Sequence, residues 1–144
     1  MTLMRKKTKT ILIVVVGICV VAYFVIKAID KHHNPERIAY MLNIPAPPKT
    51  LHVFECESGP ITDIVITCAI EINPLEFPLL LKGYAYTQSP IEGTSYTAGN
   101  TKIGPEFPVS EEYIARPATF KDGGQVTILT DKERKRAIVD LYIE

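Results

Sequence analysis

The hydrophobic pattern divides the chain into two unlike parts. From Ile11 to Ile26 sixteen residues pass without a charge, and the apolar character continues past Lys27 to Ile29. Nineteen residues of helix rise about 28 Å, close to the ~30 Å hydrocarbon core of a bilayer. The segment is apolar on every face, so an amphipathic surface helix does not account for it. Lys27 lies near one end, where a long stem can carry its ammonium to the headgroups. Tyr23 and Phe24 stand where an aromatic belt begins. The expectation is a transmembrane helix over 11–29. Three other readings fit less well. A core helix of so small a protein would show a polar face. A cleaved signal peptide, with Val20-Val21-Ala22 as cleavage site, would turn polar where Tyr23-Phe24-Val25-Ile26 stays apolar. A lipoprotein acylated at Cys19 would need a small residue where Ile18 stands.

Beyond the span the periodicity changes. Asn34-Pro35 reads as a helix start, and Ile38, Met41 and Leu42 make a stripe at i, i+3, i+4, predicting a short helix from Pro35 to about Leu42. Ile44-Pro45-Ala46-Pro47-Pro48 then reads as a semi-rigid spacer. Thr50–Glu55 is a first strand, and Glu57-Ser58-Gly59-Pro60 a turn. The clearest strand is 62–72. There Ile64, Ile66, Cys68, Ile70 and Ile72 form an apolar face, and the alternate positions are mixed.

Asn73-Pro74-Leu75-Glu76 repeats the helix-start signal. Leu75 to Leu81 is the predicted helix, lying across the sheet, with Pro78 bending it and Gly83 closing it. Tyr84 to Pro105, rich in glycine, reads as a possible strand start followed by a long loop. Loops of that length are frequent binding elements, which makes Tyr84, Tyr86 and Tyr96 the candidate partner-binding residues. Phe107–Ala115 leans to a strand. Gln125–Thr130 and Arg136–Ile143 form a hairpin through Asp131–Lys135, with Val139, Leu141 and Ile143 on one face and Ile138, Asp140 and Tyr142 on the other. The fold class is α+β: one transmembrane helix, a juxtamembrane helix and proline-rich linker over 30–49, and a small antiparallel sheet domain over 50–144 with one helix packed on it.

Charge sets the orientation. The net charge is zero. Yet the first 29 residues carry five bases and no acid, and residues 30–144 carry eleven bases against sixteen acids. Arg5, Lys6, Lys7 and Lys9 precede the span, so the positive-inside rule leaves residues 1–10 in the cytoplasm and sends the domain to the periplasm, or its equivalent, across the inner membrane. An acidic domain is a poor ligand for nucleic acid. In an oxidising compartment Cys56 and Cys68 are expected to pair. Their midpoint is 62, whereas a hairpin turning at Gly59-Pro60 centres near 60. The bridge therefore requires a bulge, a displaced turn or a different arrangement.

Candidate chemistry is thin. No Gly-x-Ser-x-Gly, Cys-x-x-Cys or His-Glu-x-x-His pattern and no phosphate-binding glycine pattern occurs. His32, His33 and Glu36 are a weak metal set, and no catalytic residue, metal or cofactor is assigned. The basic turn of Lys132, Arg134, Lys135 and Arg136 could grip an acidic partner, though such turns are commonly just solvated. The expected function is protein binding at the membrane, as an accessory subunit of an envelope assembly or a tethered inhibitor such as an immunity protein. A hydrolase of envelope polymers, or a lipid or small-ligand domain with an apolar pocket under helix 74–82, is the alternative.

Overall fold

The computed structural model describes residues 2–59, 63–95 and 103–144, with side chains described outside 2–12, 27–33 and 92–95. The chain forms two compact units, residues 1–33 and 34–144. Helix α1 runs Thr2–Met41, followed by β1 (His52–Ser58), β2 (Ile64–Glu71), α2 (Phe77–Leu80), β3 (Thr87–Ser95), β4 (Pro108–Ala115), β5 (Gly124–Thr130) and β6 (Arg136–Ile143). The architecture is α+β.

In the first unit every side chain from Ile13 to Ile26 is exposed and none is charged. Among the described residues no helix is long and apolar enough to cross a membrane. The transmembrane expectation for Ile11–Ile29 thus rests on the sequence.

In the second unit six antiparallel strands lie in the order β1-β2-β6-β5-β4-β3. The chain leaves β2, second in the sheet, and enters β3 at the far edge. Four strand spacings of ~4.8 Å separate them, about 19 Å. The connection has to pass over one face, which is why α2 lies there. Cys68, Ile70, Val126, Ile128, Val139 and Leu141 line that face, beneath Ile38, Met41 and Leu42 of the α1 end and Phe77 and Leu80 of α2. Ile38 and Leu42 are 0% exposed. Burial of such side chains contributes about 1.5–3 kcal/mol each. The opposite face holds Ala69, Leu129 and Ile138 under Ile103 and Phe107. Val139 and Leu141 thus face one core and Ile138 the other, as alternation requires.

Several boundaries differ from expectation. Helix α1 does not start at Asn34-Pro35; Pro35 lies inside it. Proline there removes one intrahelical bond, and the buried stripe that follows offsets the loss. The helix stops where Asn43 adopts a left-handed φ of 53°. Asn43 N–H donates to Tyr40 O and Ile44 N–H to Ala39 O, the paired closure of a Schellman motif, with Ile44 and Ala39 both buried. Ile44 and Pro48 are buried while Pro45 and Ala46 between them are exposed, so the proline run is held at its two ends. The predicted helix 75–81 shortens to Phe77–Leu80, because Pro78 cannot donate. Asn73 instead caps a turn, its Oδ1 accepting from Leu75 N–H at 3.0 Å. Ile64, the first residue of β2, is 53% exposed rather than part of the buried face.

The largest difference is β3. The stretch expected as loop is an edge strand paired with β4 over Thr87–Ser95, with a register irregularity between Pro90 and Thr94. Proline and irregular register are tolerated on an edge, where one side of the ladder needs no donor.

The β5–β6 turn holds both covers in place. Arg134, at φ 56°, donates to both Glu111 carboxylate oxygens at 3.0 and 3.2 Å, and its guanidinium lies 5.9 Å from the Phe77 ring centre. Arg136 pairs with Asp131 at 3.2 Å, donates to Glu106 O, and lies 5.5 Å from the Phe107 ring centre. Lys135 pairs with Glu71 at 3.1 Å. Three of the four bases offered for an acidic partner are therefore engaged within the domain.

The Glu111 pair makes a pH prediction. The hydrogen bond from Arg134, followed by that from Tyr113, holds the Glu111 carboxyl below the usual carboxylate range. Its stabilisation is complete above the unfolded value and is lost as pH falls through the folded one. Both partners are partly exposed, so Glu111→Gln is expected to cost about 1 kcal/mol near neutral pH. The variant's deficit should shrink to nothing in acid-titrated urea melts; a deficit unchanged at pH 3 would contradict the pairing.

Candidate functional site: an aromatic cleft

The last turn of α1 and its Schellman closure bring Ala39, Tyr40, Met41, Asn43 and Ile44 to the end of β6, where Leu141 and Ile143 project. Tyr84 and Phe120 complete the walls of a cleft of about 280 Å³. Phe120 is positioned by its turn. Phe120 N–H donates to Pro117 O and Gly123 N–H to Phe120 O. The ring rests on Gly124 (φ 143°), where an added Cβ would stand 2.4 Å from Tyr142 O and 3.0 Å from Phe120 Cδ2.

The three expected contact tyrosines fare differently. Tyr84 is half-buried in the cleft wall, edge-on to both Tyr86 and Phe120, with 6.2 Å between ring centres in each pair. Burial, and then the nearby Tyr40 phenol, raise the Tyr84 pKa, so it is a neutral hydrogen-bonding group. Tyr86 stands behind it. Its hydroxyl is buried without a hydrogen-bond partner among the described residues, and burial pushes its pKa far up. Tyr86 is thus chiefly a packing residue. Tyr96 lies outside the described residues. Tyr40, not singled out in the sequence, is 80% exposed at the cleft mouth. Its position one residue outside the Ile38–Met41 stripe was the available signal.

On the sheet side of α2, Phe77 and Leu80 are fully buried in the core. A second cavity of about 360 Å³ is lined by His52, Glu71 and Lys135 among others, but the latter two pair with each other. Among the described residues the carboxylates whose acidity is shifted, Glu76 and Glu111, are shifted down by hydrogen bonds, from Thr50 and Arg134 respectively. That direction belongs to structural pairing; a general acid needs the opposite. Among the described residues no three His, Cys, Asp or Glu side chains gather to hold a metal. The side chains of His32 and His33 lie outside those described.

Cys56 and Cys68 are bridged. Gly59 N–H donates to Val65 O, which centres the hairpin at 62 rather than 60. A displaced turn thus supplies the register Cys56↔Cys68. Counting outward from Gly59–Val65, this is a non-hydrogen-bonded pair, the narrow kind, and the two Cα atoms are 4.1 Å apart. Cys68 Sγ touches Met41 Sδ at 4.0 Å, so the bridge braces the face that carries the α1 end.

No protein-family model matches the chain, and no curated protein or solved structure is similar enough to it to count as a match.

Proposed function

We propose that this protein is a membrane-tethered binding module. Residues 11–29 span the inner membrane with the N-terminus in the cytoplasm, and residues 34–144 meet another envelope protein on the outer side. The observation that carries the tether is the helical run from Ile13 to Ile26, uncharged and exposed on every side. Water cannot stabilise such a surface, and hydrocarbon can. The aromatic cleft supports the binding role: exposed Tyr40 beside half-buried Tyr84 is the amphipathic contact chemistry of interface cores. The partner is a component of an envelope assembly, or a toxin that this chain inhibits.

The test has two arms. Membranes from cells making the full chain are washed with alkaline carbonate, then intact cells and lysates are treated with protease. The expected result is retention in the pellet, with the domain cut from outside the inner membrane once the outer barrier is opened. Release by carbonate removes the tether. Then the detergent-solubilised full chain is used to capture proteins from an envelope extract. A stoichiometric, salt-tolerant partner supports the module reading. Its absence, from extracts that preserve known complexes, rejects it.

A further inference from the structure

We infer that the aromatic cleft receives the guanidinium of an arginine presented by the partner; this rests on the protein-binding reading above. Four features of the cleft converge. Its walls carry three aromatic rings, from Tyr40, Tyr84 and Phe120, whose faces attract cations. No base is among the lining residues. The cleft abuts the C-terminal end of α1, whose last turn holds no basic residue. The Schellman closure satisfies the carbonyls of Ala39 and Tyr40 but not that of Met41, which no backbone donor reaches among the described residues. The negative end of the helix dipole is therefore only partly compensated there. Finally, residues 34–144 carry ten bases against fifteen acids, a field that draws in a basic partner.

The floor of Met41, Ile44, Leu141 and Ile143 selects among cations. A lysine ammonium holds its water tightly. A guanidinium is flat, weakly hydrated and stacks on rings. Because Tyr40 is 80% exposed, the mouth stays wet, and a bound guanidinium keeps part of its hydration while one face lies on a ring.

The full chain in nanodiscs of zwitterionic lipid is titrated with N-acetyl-arginine methylamide, followed by saturation transfer to the arginine δ-methylene. The lysine and leucine derivatives serve as comparisons. The arginine derivative should bind, and the other two should bind more weakly by about twofold to thirtyfold. Tyr40→Leu should weaken arginine binding over the same range, while Tyr40→Phe, which keeps the ring, should not. Tyr40 is exposed enough that neither change threatens the fold. Equal or tighter binding of the leucine derivative, no binding of arginine, or indifference to Tyr40→Leu each overturns the inference. Any of these leaves the protein-binding reading to the capture experiment, which fails or succeeds independently.

Discussion

Replacing Gly83 by alanine is expected to destabilise the domain by about 3 kcal/mol, the upper end of overpacking costs. An added Cβ would stand 1.8 Å from Leu42 O, 2.7 Å from Asn43 O and 2.8 Å from Asn43 C. These are backbone atoms, so no rotamer change relieves the clash. They belong to the closure of α1, which Asn43 also ties to Gly83 by donating from Nδ2 to its carbonyl at 3.2 Å. The methyl would push the α1 end off the sheet and open the cleft wall. Because the chain has no tryptophan and six of its seven tyrosines lie in residues 34–144, tyrosine fluorescence reports chiefly on the domain. In urea melts of the full chain in detergent the midpoint should fall sharply. Leu75→Ala, at an 88% exposed position, should stay within about 0.5 kcal/mol of the parent. A Gly83→Ala midpoint equal to the parent's would show that Gly83 does not meet the α1 closure.

The second large effect is expected at the disulfide. Cys56→Ala with Cys68→Ala should cost about 3 kcal/mol, the loop-closure value for a bridge of this span. The sequence separation is 12. For a domain of this size that is a fall in Tm of roughly 10 °C. Alkylation gives an independent readout. In the oxidised, denatured chain Cys19 is the free cysteine, so one thiol should label before reduction and three after. Three labels without reduction, in chain recovered from the envelope, would remove both the bridge and the compartment argued from it. Reduction should also loosen the α1 end, since Met41 rests on Cys68.

How much of this was legible in the sequence varies by element. The hairpin of β5 and β6 is legible almost to the residue, because its alternation is strong and its turn is all charged. The spacing of Ile38, Met41 and Leu42 marks an apolar stripe, and only the structure shows that the sheet, rather than the membrane, covers it. β3 reads as loop, because Pro90 and Gly93 signal loop and only pairing with β4 overrides them. The bridge was legible as a need, while its register was not, since a turn displaced by two positions leaves no mark in local pattern.

By itself the sequence determined the division into an apolar segment and an acidic domain, the α+β class and most strands. These follow from hydrophobic spacing, charge placement and the φ preferences of Pro, Gly and Asn, all properties of neighbours along the chain. Only the tertiary structure decided the strand order, the crossing of α2, the use of Arg134 and Arg136 to hold opposite covers, and the cleft. The cleft draws on residues 39–44, 84, 120 and 141–143, separated by up to about a hundred positions. Its walls meet because the connection from β2 to β3 must cross the sheet and because Gly83 lets one backbone lie against another. Such contacts come from burial and steric fit between distant segments, which local pattern does not encode.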